Sequence, residues 1–272
     1  FLYFNNSDLS ATADSLKNLS HVQGTPSYLL LLYLFKKKDL LNLNDDDING
    51  AVGFLTKFFI RRNITDIPAT RDLQRIFMSV IDQIEHNNNK GKDVIEFIKT
   101  ELKKFSVPDT IFKEKLSGDI YTDNSGMARF VLCALAEDTM NHESKKDLWI
   151  KQQQGKTWVY TWSIEHILPE GENIPECWVK MIANGDTNLA NQYRAQYVHK
   201  LGNLTLTGFN STLSNRSFTD KRDKVDSKGN YIGYKNGLSI NADVADKDKW
   251  TIEDIQKRTE ILVDKLLKIF VL

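Results

Sequence analysis

The sequence predicts a mainly α protein carrying a small α+β module toward its end. Three observations lead there. Apolar residues recur at three- and four-residue spacing through most of the first 150 positions. The texture changes near Lys151 to β-branched and aromatic residues. And 272 residues, 41% hydrophobic and 26% charged, supply enough apolar material for one large core or two modest ones.

The helices follow in order. Ser27 to Leu41 is apolar on most faces, as a buried helix is. Asp45 to Arg62 opens with three aspartates, which favour a helix N-terminus, and carries Ile48, Val52, Leu55 and Phe59 on one face. Thr70 to His86 repeats the pattern with Leu73, Phe77, Val80, Ile81 and Ile84, and Asp93 to Phe105 follows a polar turn. Pro108 opens a short amphipathic piece around Ile111, Phe112 and Leu116, and Ser125 to Met140 is the next helix. Gln152 to Gly155 reads as a linker, which puts a domain boundary at about 156: residues 1–156 helical, 157–272 mixed.

In the second part Thr157 to Ile164 and Leu201 to Thr207 read as strands, the latter with Leu204 and Leu206 alternating with threonines. Glu176 to Ile182 reads as a helix, and another starts at Asn210 or Ser211 and runs to about Lys224. The closing helix, Thr251 to Phe270, has Asp254 three residues after Thr251, close to a capping box. Trp158 and Trp162 share a strand face and read as core.

Charge and cysteine content narrow the function. Thirty-six basic residues cancel 36 acidic ones, so the overall balance points neither to nucleic acid nor to an anionic membrane. Locally it differs: from Arg194 to Lys235 eight lysines and arginines face three aspartates, a surplus of the kind phosphate contacts use. Cys133 and Cys177 cannot form a four-ligand zinc site, so no structural zinc is expected. The longest apolar run, Tyr28 to Phe35, is far short of the roughly 20 residues a membrane helix needs. No membrane partner and a cytoplasmic location are therefore the expectation.

The chemistry concentrates in two stretches. His166 ends a strand in Ser163-Ile-Glu-His-Ile-Leu-Pro169, directly after Glu165. A carboxylate can hold a hard divalent cation, and a neutral imidazole can take a proton from water. Neighbouring residues on a regular strand point to opposite faces, so the pair can share a site only if the chain leaves strand geometry there. The second stretch is Leu201-Gly-Asn-Leu-Thr-Leu-Thr207, followed by Asn210, Asn215 and Lys221. Taken singly, Asn203 reads as a turn residue, Asn210 as a helix cap and Lys221, Arg222 and Lys224 as a solvated face. His199 reads as structural, and His21, His86 and His142 as solvent-exposed or structural.

Together, Ile-Glu-His-Ile-Leu-Pro169 and Leu-Gly-Asn-Leu-Thr-Leu-Thr-x-x-Asn-x-x-Leu-Ser-Asn-x-x-Phe-x-x-Lys221 resemble the C-terminal HNH nuclease domain of GmrSD-type modification-dependent restriction proteins. The resemblance implies a His-Me finger, or ββα-metal, module over residues 157–272, acting as a DNA endonuclease in bacterial or archaeal phage defence. It implies His166 as general base, Asn203 as the residue orienting the histidine loop, and Glu165 with Asn210 or Asn215 holding one Mg²⁺ or Mn²⁺. Lys221, Arg222 and Lys224 would contact DNA phosphates. It further implies an N-terminal nucleotide-hydrolysing domain, for which this sequence offers no Gly-rich phosphate loop. With Phe1 at the start instead of methionine, a C-terminal fragment is expected, a natural short form remaining open. The rival reading is a DNA- or partner-binding module that keeps the nuclease fold without turnover.

Overall fold

The structure, a computed structural model, describes residues 10–138, 140, 146–208 and 213–272. His142, Asn210 and Ser211 lie outside the described residues. Helices dominate, joined by two separate two-stranded antiparallel sheets. The chain divides into two units, residues 1–115 with 267–272, and residues 116–266.

The first unit is helical. Its helices are α1 (Ser10–His21), α2 (Tyr28–Lys36), α3 (Asp45–Thr65), α4 (Thr70–His86) and α5 (Lys92–Lys103), and α6 (Asp109–Leu116) runs to its boundary. The aspartates at the start of α3 act as their type requires. The Asn44 side chain accepts from Asp47 N–H, and Asp47 accepts from Asn44 N–H, closing a capping box. On the buried face of α3, Phe58 and Phe59 meet Phe77 of α4, with ring centroids 6.5 and 6.1 Å away. Arg61 is buried and largely paired: it donates to Val107 O at 2.9 Å and pairs with Asp109, while its Nε has no partner among the described residues.

The second unit starts before the expected boundary at 156. Helices α7 (Ile120–Asp123) and α8 (Ser125–Glu137) belong to it. The reason lies in Arg129 of α8, buried, which donates to the backbone carbonyls of Leu148 and Trp162 and lies over the Tyr160 ring. The expected linker is a strand. Lys151–Gln154 (β1) pairs with Thr157–Tyr160 (β2), and Gly155 turns the hairpin at φ +62°. A glycine first in a two-residue loop suits such a turn, because an L side chain is strained at positive φ. The expected strand from Thr157 to Ile164 is broken: β2 stops at Tyr160 and β3 (Ser163–His166) pairs with β4 (Leu204–Thr207) instead. Trp158 therefore lies on the outer hairpin, 65% exposed, and is not core.

The remaining elements are α9 (Glu176–Ala183), α10 (Thr187–Tyr197), α11 (Phe218–Arg222), α12 (Ala242–Ala245) and α13 (Ile252–Ile269). The last begins with the expected box, Asp254 accepting from Thr251 N–H and Thr251 Oγ1 from Asp254 N–H. The core of this unit centres on Phe218, stacked on Trp250 at 5.9 Å and edge-on to Trp178 at 6.3 Å. Each fully buried ring of this kind contributes about 2–3 kcal/mol of transfer free energy.

The expected helix from Asn210 or Ser211 to Lys224 is shorter among the described residues. Leu213 is helical, residues 214–217 are not, and Ser217 caps α11 by accepting from Asp220 N–H, so the helix resumes at Phe218.

Candidate active site

The site grows from the β3–β4 ladder. His166 stands opposite Leu204 and Glu165 opposite Thr205, and the ladder runs one step further as Ile167 N–H donates to Asn203 O at 2.9 Å. Strand geometry thus persists through His166, and the two neighbours diverge. Every residue of β4 is buried, threonines included, so its alternation marks two covered faces. Thr205 Oγ1 finds a partner in Asn241, which also donates to Leu206 O.

Two further residues hold this ladder in place. Gly202 passes so close to α13 that a Cβ there would lie 2.1 Å from Ile255 O, and its N–H donates to Thr259 Oγ1 at 3.0 Å. Arg258, buried on α13, donates to the carbonyls of Gly202, Leu204 and Ile240, each at 2.8 Å.

Glu165 turns inward. It is 3% exposed and accepts from Lys221 Nζ at 2.7 Å and Tyr234 O–H at 3.3 Å. Lys221 is 1% exposed and also donates to the carbonyls of His166 and Ile167 at 2.9 and 3.2 Å. Burial pushes the Glu165 carboxyl up and the Lys221 ammonium down, against their mutual attraction. Lys221 is therefore an internal strut and cannot reach a DNA phosphate. The carboxylate expected to hold a metal is already matched by a cation.

His166 faces a cleft of about 240 Å³ with Pro169, Glu170, Gly171, Ser214 and Asn215, which the Glu165–Lys221 pair also borders. Its Nε2 shares a hydrogen bond with His199 Nδ1 at 3.2 Å, and its Nδ1 lies 3.6 Å from Glu170 Oε2. Tyr121 stands edge-on to His166 at 4.6 Å and stacks on His199 at 5.5 Å. Burial, helped by His199 and Lys221, lowers the His166 pKa to about 3, so the imidazole is neutral at ordinary pH. Burial and the Glu170 charge raise that of Tyr121.

Asn203 is fully buried and clamps the segment after the histidine. Its Oδ1 accepts from Leu168 N–H at 2.8 Å and Trp250 Nε1–H at 3.3 Å, and its Nδ2 donates to Leu168 O and Val198 O. This is more than a turn residue does. Asn215 is exposed at the cleft beside Gly171.

Of the expected phosphate contacts, Arg222 is spent on Asp223, Asp248 and the Lys247 carbonyl. Lys235 and Lys200 likewise pair with Asp223 and Asp119. Lys224 is half-buried and has no side-chain partner among the described residues. Most of the local basic surplus is neutralised within the unit. Sequence reasoning passed over Glu170 and Tyr121 and read His199 as structural; the acidic residue four after His166 was the one available signal.

A buried, neutral histidine at a strand end, beside carboxylate and amide oxygens in an open cleft, is an arrangement suited to hydrolytic chemistry. A family model described as GmrSD restriction endonucleases, C-terminal domain, matches residues 106–265, more than half of the sequence. The chain belongs to that family of restriction endonucleases. No curated protein matches it. No helix among the described residues is long and apolar enough to cross a membrane.

Proposed function

We propose that the chain is the nuclease part of a modification-dependent restriction protein and hydrolyses DNA phosphodiester bonds at the His166 cleft. The observation that carries the reading is His166 opening on Glu170 and Asn215 while Asn203 fixes the backbone just behind it. In this account the module is of the HNH, ββα-metal type, its two strands being β3 and β4 and its helical part α11 with the segment before it. It works in the cytoplasm in phage defence, partnered by a nucleotide-hydrolysing domain outside this sequence.

The donor chemistry fits one Mg²⁺ or Mn²⁺, which prefer oxygen ligands. Glu170 offers an uncommitted carboxylate and Asn215 an amide oxygen, so Glu170 replaces Glu165 as the acidic ligand. When bound, the cation supplies Lewis-acid stabilisation of the charge growing on the phosphate and the leaving oxygen.

The chain's own residues do the rest. In the tautomer that donates Nε2–H to His199 Nδ1, His166 turns its Nδ1 lone pair toward Glu170 and the cleft. There it takes the proton of a water whose oxygen attacks phosphorus, and the P–O bond to the leaving group breaks. The low basicity that burial imposes on His166 rises when an anionic phosphate enters the cleft, because a negative neighbour favours the imidazolium. Asn203 and Lys221 hold the backbone from His166 to Leu168 in place. Of the expected phosphate contacts only Lys224 remains in that role.

Plasmid cleavage with Mg²⁺ or Mn²⁺, wild type against His166→Ala, tests the proposal. An inactive wild type that still retards DNA in a gel would favour the binding module.

A further inference from the structure

The cleft also holds a donor set that the hydrolytic account does not use together. One ligand atom each from His166, His199 and Glu170 lies within 4.8 Å of the other two. Glu170 spans both rings, its Oε2 3.6 Å from His166 Nδ1 and its Oε1 4.0 Å from His199 Nε2. We propose that His166, His199 and Glu170 form a binding site for a transition-metal ion of the Zn²⁺ type.

Ligand type comes first. Mg²⁺ keeps its waters and takes oxygen ligands, whereas two imidazoles and one carboxylate form the nitrogen-rich set that Zn²⁺, Co²⁺ and Ni²⁺ bind. Geometry comes second. In a tetrahedral site with bonds of about 2.0–2.1 Å, ligand atoms sit about 3.3 Å apart. The present spacing, up to 4.8 Å, needs a closure of up to about 1.5 Å. The Glu170 side chain is 53% exposed and free to supply it, while Tyr121 holds both rings in place by edge and face contact. Openness comes third. His166 and Glu170 line a cleft of about 240 Å³, and three protein ligands leave the fourth position to water, the pattern of an accessible site.

The site stands on these contacts alone and does not depend on the hydrolytic reading. Occupying it takes His166 out of use as a proton acceptor, so a Zn²⁺-type ion would be an inhibitor of the cleavage proposed above.

The test is a Co²⁺ titration of the metal-free full chain, followed by the visible absorption of tetrahedral Co²⁺. The expected result is a saturable one-to-one signal, displaced by Zn²⁺ and unaffected by excess Mg²⁺. His199→Ala and Glu170→Gln should weaken binding at least about tenfold, since even losing a residue behind a ligand costs that much. Cys177→Ser should leave it unchanged, which separates the site from the exposed thiol. Glu170→Gln alters an exposed side chain, and circular dichroism verifies that each variant is folded. No signal in the wild type, full binding by folded Glu170→Gln or His199→Ala, or loss in Cys177→Ser would overturn the proposal. Because the readout is absorption, a missing site and a missing nuclease activity give different results.

Discussion

Lys221 Nζ donates to Glu165 Oε1 at 2.7 Å with both side chains at most 3% exposed. The same ammonium reaches the carbonyls of His166 and Ile167. A buried ion pair is a poor source of net stability, but removing one partner is costly because the other charge is left unmatched. This pair also ties α11 to the strand end that carries the candidate base.

Lys221→Met should therefore destabilise the chain by about 3–5 kcal/mol. Glu165→Gln combined with Lys221→Met removes both charges and should recover a good part of the loss. Urea unfolding of the two variants and the wild type checks this. Equal loss in the single and double variants would mean that shape, not charge, sets the cost.

Gly202→Ala should be among the most damaging single substitutions in the second unit. Its Cβ would meet Ile255 O at 2.1 Å and Thr259 Oγ1 at 2.5 Å, and neither neighbour can give way without moving α13. Overpacking against backbone costs about 3 kcal/mol. A thermal midpoint within a degree or two of the wild type would contradict the close approach of the Leu201–Asn203 turn to α13.

Acid should weaken the fold through His166. The folded chain holds this group near 3, against an ordinary value of 6.5. Between those values the unfolded chain binds a proton that the folded chain refuses, so stability falls as pH drops below 6.5. At pH 5 the loss is on the order of 2 kcal/mol, at about 1.4 kcal/mol per pH unit. In EDTA, His166→Gln should show a shallower decline between pH 7 and 5 than the wild type. Parallel declines would place the group in a more solvated setting.

Glu170→Gln should raise the Mn²⁺ concentration needed for half-maximal cleavage at least about tenfold while leaving stability within about 0.5 kcal/mol, as an exposed position permits. Metal titrations of plasmid cleavage measure this. An unchanged Mn²⁺ requirement would return the acidic-ligand role to Glu165.

Much of this was legible from residue type and spacing. The helices of the first unit follow their apolar periodicity, and the Thr251–Asp254 cap is visible as a local pattern. His166 and Asn203 stand out in the sequence because both lie in short, unusual motifs, and the structure places them side by side. What was not legible depends on partners distant in the chain. Lys221 reads as a solvated helix face, because nothing near it announces that Glu165, 56 positions earlier, is buried beneath it. His199 acquires its setting only when α10 brings it against Tyr121 and His166. The glutamines of β1 look like a linker since the hairpin is exposed on both faces and shows no alternation. The composition break near 156 misled for a related reason: α8 keeps the apolar periodicity of the earlier helices, yet Arg129 ties it to the strands that follow.

Whether the His166 cleft cleaves DNA is decided by incubating supercoiled plasmid with the chain and Mn²⁺ or Mg²⁺ and comparing wild type with His166→Ala. The account predicts nicked and linear products from the wild type, abolished by EDTA and reduced at least about 100-fold in a folded His166→Ala variant. Equal cleavage by the two proteins would contradict it.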